Sequence, residues 1–479
     1  MRTLDHRLVV FALLALLTIV RLIWLKFTGL GLAPDEAQYW FWSKNLDWGF
    51  YSKPPMVALL INLSTKICGD SEACIRMSSP LLYFFTSLAV YGIGKELFNT
   101  RVGLWSAATF ATLPAVFLSS ALVSTDPALL FFWSLTLYTF IRALRSDTWG
   151  LWLIVGIFAG LGMLSKYNML VFLLSAVVLL LWVPTERKRL FSYKFWAAAL
   201  IAFMIWLPNL IWNLQHGLVS FYHTVDLAGA NTASLFNFAG LIKFFVGQFA
   251  VFGPILFGVF LYSCFQLLRQ PNKQVEYKFL LAFSLVFIGL IMLVALKSRA
   301  HANWAAPAYI AASVLVCAYL IEINKAGLLK LSLGLHLVLS ALGLFYPLAT
   351  AEFDVQLNSR YDPVSRLQNN RDLGKEVTEL LQQNPGAVLA VDERKLLASL
   401  LYYSTTHIYK WNPTGAVHDH FDLTTNLREQ ISKDIIFIGE SYSVDALKAY
   451  ANSVQQLRVL NYSNKHIYKV FLLQGFKGY

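Results

Sequence analysis

The chain has 479 residues, 57% of them hydrophobic and 15% aromatic, with only 14% charged and a mean hydropathy of +0.55. That balance excludes a soluble globular protein and leaves a polytopic α-helical membrane protein. The formal charge of +12 could suggest nucleic acid, but the basic residues fall in short clusters between apolar runs, the pattern of topology signals and phosphate handling.

Apolar runs of roughly 18–24 residues, each able to cross ~30 Å of hydrocarbon as a helix, recur as far as Pro347. The first, from Leu8 to about Phe27, follows Arg2 and Arg7 with no small-residue cleavage site after it, and reads as a retained span. With its start inside, it delivers an outer loop, 30–76, that carries Asp35, Glu36 and Lys53. Within that loop the short apolar segment 54–68 suits a helix lying on the membrane surface. Further spans are expected at 77–94, 102–120, 128–141, 149–164, 168–184, 195–211, 245–268, 279–296, 304–321 and 328–350, about eleven in all. The inner loops then hold Lys95 and Arg101, Arg142 and Arg145, the cluster Glu186-Arg187-Lys188-Arg189, Arg269 with Lys273 and Lys278, and Lys325 with Lys330. The outer ends hold Asp126, Lys166, the loop residues His216, His223 and Asp226, and Lys297 with Arg299.

From about 351 to 479 the composition turns mixed. Strands are expected at 387–391, 407–411, 434–439 and 466–473, and helices at 371–383, 393–403 and 444–452, a small α/β domain on the outer face after a membrane domain of 1–350. Of the four cysteines, Cys264 and Cys317 lie in apolar runs, while Cys68 and Cys74 flank a connecting segment and could be two thiols or a disulfide on an oxidising side.

Taken singly, the polar residues have bland explanations. Asp35 and Glu36 could be solvated charges opening a short helix, Asp126 before Pro127 a helix start, and a lysine at a span end a snorkelling side chain. Their convergence on one side argues for a site. Two carboxylates at the mouth of a span, with cations that break the positive-inside trend, suit attack by a hydroxyl on a carbon bearing a phosphate leaving group. No P-loop or dinucleotide fingerprint stands on the inner side, so a lipid-phosphate donor arriving through the bilayer fits better than a nucleotide sugar. A transporter or flippase for a lipid-linked or anionic substrate is the competing class; it would want polar groups near mid-span. A receptor whose tail binds a partner is a third reading.

Several ordered motifs are shared with one family. They are the acidic pair Asp35-Glu36, Tyr51-Ser52-Lys53-Pro54-Pro55, Thr125-Asp126-Pro127, Ser165-Lys166-Tyr167, Pro208 to Asn213, Asn303 to Tyr309 and the tail segment 361–366. In these the chain resembles the bacterial branch of the dolichyl-phosphate-mannose protein mannosyltransferases, enzymes of the GT-C fold related to the lipid A aminoarabinose transferase. The resemblance implies an inverting glycosyltransferase of the bacterial inner membrane, with a cytoplasmic N-terminus and a periplasmic tail. It would use a polyprenyl-phosphate-linked sugar and a glycolipid or protein acceptor, lipid A among them. By the same resemblance Asp35 would be the base and Glu36 its supporting neighbour; Lys53, Lys166, Arg299 and Lys297 would hold the donor phosphate, and Asp126, Tyr51 and Asn303 would position substrate. Where the aminoarabinose transferase has a metal-associated acid, this chain has Ser52, which weighs against a divalent metal ion; the remaining ligand set is Glu36 with His216 or His223.

Overall fold

The computed structural model describes residues 6–227, 229, 236–270, 274–352, 362, 364, 367, 368, 370–404, 406–463 and 466–479. Lys273 and most of the 361–366 motif lie outside the described residues. The chain divides into two compact units. One comprises Met1–Phe27, Lys53–Leu60 and Arg76–Tyr346; the other comprises Thr28–Ser52, Ile61–Ile75 and Pro347–Tyr479.

The first unit is helical. Among the described residues, six helices are long and apolar enough to span a membrane: His6–Phe27, Glu72–Leu97, Thr125–Ser146, Tyr193–Gln215, Val275–Lys297 and Gly327–Thr350. Trp149–Ser165, Tyr167–Trp182 and Ala308–Glu322 are shorter apolar helices, and so is Met56–Cys68 at the expected surface segment. Every residue from Ala308 to Leu320 is buried, as expected of a helix apolar on all faces and surrounded by others. Around Trp133 the rings of Phe172 and Phe287 stand edge-on at 5.2 and 5.3 Å, the preferred geometry for aromatic pairs. Small residues bring Trp149–Ser165 against Tyr193–Gln215: a Cβ on Gly156 would stand 2.6 Å from Ala198 O, and one on Gly160 2.7 Å from Ile205 Cβ. Van der Waals packing between apolar helices depends on such close approach.

Two of the expected spans are not single straight helices. The 102–120 span breaks at Pro114, which has no N–H to continue the ladder, into Thr100–Thr112 and Pro114–Ser120, bent by 55°. The 245–268 span begins earlier and folds back on itself as Phe238–Val251 and Pro254–Leu268, bent by 113°. Gly253 takes φ +92 at the corner, and a Cβ there would lie 2.1 Å from His336 Nε2, so both backbone angle and space demand glycine.

The second unit holds a five-stranded sheet of order β2-β1-β3-β5-β4, with β1 Val388–Val391, β2 Ile408–Lys410, β3 Ile435–Gly439, β4 Ala451–Ser463 and β5 His466–Phe476. β1 runs parallel to β2 and β3, while β5 is antiparallel to both β3 and β4. The expected 444–452 helix is only a turn, Val444–Leu447, and β4 takes over from Ala451; apolar Val454 and Leu473 face each other in the β4–β5 register, a pairing that local helix propensity does not encode. Helices Asn370–Gln383 and Arg394–Tyr403 form as expected. The residues after the first span are fastened to this tail. Gly31 N–H donates to Leu367 O at 3.0 Å, Leu32 N–H to Tyr403 Oη at 2.7 Å, and Arg371 Nη2 to Glu72 Oε1 at 2.7 Å. Cys68 and Cys74 are joined as a disulfide.

Candidate active site

In the first unit, several of the motif residues meet around Asp126. The Thr125–Ser146 helix opens with Ser124 as its cap, the hydroxyl accepting from Asp126 N–H at 3.3 Å, which sets Asp126 in the first turn. Trp149–Ser165 ends at Lys166, whose backbone turns extended (φ −162, ψ 138) before the short turn Tyr167–Met169. The break carries the side chain across, and Lys166 Nζ donates to Asp126 Oδ1 at 2.6 Å. Only 16% and 14% of the two side chains are exposed, so the pair is largely withdrawn from water. The second oxygen, Oδ2, accepts from Asn303 Nδ2 at 3.0 Å. Lys53 adds a further attraction on the same carboxylate.

A second layer holds these groups in place. Tyr167 Oη donates to Asn209 Oδ1 at 3.1 Å and accepts from Asn213 Nδ2 at 3.3 Å, both asparagines being fully buried on Tyr193–Gln215. Pro208 lies inside that helix, immediately before Asn209. On the other flank Tyr309 Oη donates to Gln248 Oε1 at 2.6 Å, and Gln248 Nε2 donates to Ala302 O at 3.3 Å, steadying the turn that carries Asn303. Gln248 was not singled out from the sequence; a lone amide in the apolar helix Phe238–Val251 was the available signal. Between neighbouring helices lies an apolar cavity of about 210 Å³, walled by Trp152, Met163, Met169, Phe172, Phe203 and Trp206; Trp206 Nε1 also donates to Asn209 Oδ1 at 3.2 Å.

Lys166 has three N–H donors, and Asp126 needs one of them. A lysine held in this way keeps a fixed position with donors to spare for an anion, which is what a leaving phosphate requires. Lys297 and Arg299 are exposed at and just beyond the end of Val275–Lys297. His216 Nδ1 lies 2.8 Å from Trp212 O, and its ring stacks on Trp212 at 4.1 Å. His223 lies on the Val219–Leu227 helix. Among the described residues no three His, Cys, Asp or Glu side chains gather to hold a metal ion.

In the second unit the acidic pair has divided duties. Glu36 is 2% exposed and its Oε2 accepts from Ala33 N–H at 2.8 Å, closing the first turn of Pro34–Lys44. Asp35, one position earlier, points outward with 64% of its side chain exposed. Its Oδ1 accepts from Arg394 Nη1 at 3.0 Å, and Arg394 also donates to Gln38 Oε1. Arg394 begins the Arg394–Tyr403 helix, whose cap Glu393 accepts from Leu396 N–H at 2.7 Å. The sequence reading did not single out Arg394, because nothing local links it to a residue so far away. Tyr51 is half-buried in the same unit.

The sequence profile of the dolichyl-phosphate-mannose-protein mannosyltransferase family matches residues 52–212. The lipid A galacturonosyltransferase RgtD of Rhizobium johnstonii is 32% identical over 426 residues, spanning 88% of this chain and 88% of that protein. The lipopolysaccharide core galacturonosyltransferase RgtA of the same organism is 29% identical over 317 residues, 63% of this chain and 62% of that protein. In three dimensions the chain resembles ArnT of Cupriavidus metallidurans bound to undecaprenyl phosphate, with a TM-score of 0.64 and 14% identity over 98% of each chain. That likeness shows a shared GT-C fold. With helices of spanning length, several of the shared motifs meeting around Asp126 and a relative similar along most of its length, the chain belongs to the bacterial branch of the dolichyl-phosphate-mannose-protein mannosyltransferase family and is a membrane-embedded glycosyltransferase.

Proposed function

We propose that the protein moves galacturonic acid from a polyprenyl-phosphate carrier onto a hydroxyl of lipid A or the lipopolysaccharide core, with inversion, at the outer face of the inner membrane. The sugar and acceptor are those in the names of the relatives RgtD and RgtA. The observation that carries the reading is the Lys166–Asp126–Asn303 cluster, a fixed cation at the end of an apolar helix with donors free for a phosphate. The apolar cavity walled by Trp152 and Trp206 suits part of a prenyl chain.

In this reading the acceptor oxygen attacks the anomeric carbon while its proton passes to the Asp35 carboxylate. The bond from that carbon to the phosphate oxygen breaks, its electron pair stays on the departing polyprenyl phosphate, and the anomeric configuration inverts. Lys166 and Lys53 stabilise the charge that develops on the phosphate, with Lys297 and Arg299 as further cations along its approach. Asp126 and Asn303 position Lys166, and Tyr51 is a contact for substrate. Glu36 supports Asp35 by fixing the start of its helix. The Cys68–Cys74 disulfide and the basic inner loops support an outward-facing site and tail.

The test uses purified protein in nanodiscs with radiolabelled polyprenyl-phosphate galacturonic acid and lipid A. Label is expected to move to lipid A with the opposite anomeric configuration. Label that stays on its carrier under all acceptor conditions overturns the reading.

A further inference from the structure

The tail holds a second concavity that the transfer reaction does not use. It is a polar pocket of about 480 Å³ at the open edge of the sheet, where β2 ends and the chain turns away, and it falls within the range of about 300–1,000 Å³ that small-ligand sites occupy. In sheets with parallel strands, ligands sit outside the carboxyl ends of those strands, and β2 is parallel to β1. We propose that this pocket binds a saccharide carrying a negative group, a carboxylate or a phosphate.

Two aromatic rings supply apolar faces. Tyr409 comes from β2 and Tyr479 from the chain's last position, both half-buried; the C–H face of a sugar ring stacks on such a surface. Asn412, Asn426 and Thr424 put amide and hydroxyl groups on the same wall, the types that pair with sugar hydroxyls. Asn412 is already set, its N–H donating to Tyr479 Oη at 3.0 Å.

The charged group is Arg428. Its guanidinium lies over the Tyr479 ring, 5.6 Å from the centroid, and among the described residues it forms no ion pair. Of the acids nearby, Asp422 keeps one buried oxygen, Oδ1, without a hydrogen-bond partner among the described residues, while its other oxygen and Glu429 hold local N–H groups. Glu429 Oε1 accepts from Asn426 Nδ2 at 3.1 Å, and Asp422 Oδ2 accepts the N–H groups of His418 and Asp419 at 2.8 and 2.9 Å. Lys410 pairs with Asp419 at 2.9 Å. A guanidinium held over an aromatic ring, with no ion-pair partner among the described residues, matches a carboxylate or phosphate oxygen pair.

The test is saturation-transfer NMR on the full-length protein in nanodiscs with glucuronic acid, glucose 1-phosphate and glucose. Both acidic probes are expected to receive saturation at concentrations about ten-fold lower than glucose does, because a charge-assisted bond to Arg428 discriminates between them. Arg428→Gln is expected to remove that preference, a loss of about ten-fold in affinity. Arg428 is exposed on a turn and Arg428→Gln should fold; an elution profile and a thermal unfolding midpoint in nanodiscs unchanged from wild type serve as the check. A preference among the three probes that survives Arg428→Gln, or equal binding of glucose and glucuronic acid by wild type, overturns the proposal. Glucose 1-phosphate bound without glucuronic acid would limit the site to phosphates and overturn its carboxylate half. None of these readouts requires sugar transfer, so they stand apart from the test of the catalytic reading.

Discussion

Arg394 Nη1 lies 3.0 Å from Asp35 Oδ1, a contact across 359 positions of sequence. Asp35 remains 64% exposed, so the pair contributes little to stability; its consequence is orientation, one carboxylate oxygen being held by the guanidinium. If Asp35 is the base, Asp35→Asn should fold and insert normally yet lower transfer by ~10²–10⁴-fold. Arg394→Gln should leave the unfolding free energy within ~1 kcal/mol of wild type and lower kcat more than it raises KM, with Arg394→Lys recovering part of the loss. Near-normal turnover in Asp35→Asn would dismiss that carboxylate as base.

The Lys166–Asp126 pair differs because it is mostly buried. Removing one partner leaves an uncompensated charge, typically ~3–5 kcal/mol, whereas replacing both by apolar groups of similar size is often close to neutral. Lys166→Met should therefore destabilise more than the double variant Lys166→Met with Asp126→Leu, and both should lose transfer. Denaturant titrations in detergent supply the cycle. Strictly additive costs would mean that the two charges do not depend on each other.

The helices were legible because hydrophobic length is a direct requirement of the bilayer, and the tail strands at 388–391 and 435–439 because short apolar runs between polar turns have few alternatives. The fold-back at Gly253 was not, since a Gly-Pro pair inside a continuous apolar stretch gives no sign of how sharply the chain turns. Asp126, Lys166 and Asn303 each stood out as candidates in the sequence, but their pairing is a tertiary fact: Asn303 lies 177 positions from the carboxylate it binds. Arg394 and Gln248 were missed for the same reason, lying in segments whose local pattern marks them only as helix.

Asp392 gives the tail a pH dependence. Burial pushes its carboxyl up to about 6, against the pull of Lys410, whose ammonium is shared with Asp419. An acid whose folded pKa is raised favours the folded state while protonated; that stability is complete below the unfolded value of 3.8 and is lost as pH climbs through about 6. The difference amounts to about 3 kcal/mol. Hydrogen exchange at β1 and β3, corrected for the intrinsic chemical rate, should show less protection at pH 7.5 than at pH 5, and Asp392→Asn should remove most of that difference. Protection that rises with pH in the wild type would contradict the sign.

The Cys68–Cys74 disulfide offers a way to locate the loop relative to the membrane. The ring it closes is short, so its contribution to stability is about 2 kcal/mol in the chain-entropy account, and the Cys68→Ser/Cys74→Ser variant should still insert and transfer. Its diagnostic value lies in compartment, because such a bond persists only where thiols are oxidised. In spheroplasts, a membrane-impermeant maleimide should label neither cysteine until an impermeant phosphine has reduced the bond, and then both. Cys264 and Cys317, buried among helices, should stay unlabelled until the protein is denatured. Labelling that needed permeabilised membranes would put this loop on the cytoplasmic side, and with it the outward-facing orientation on which polyprenyl-linked transfer depends would fall.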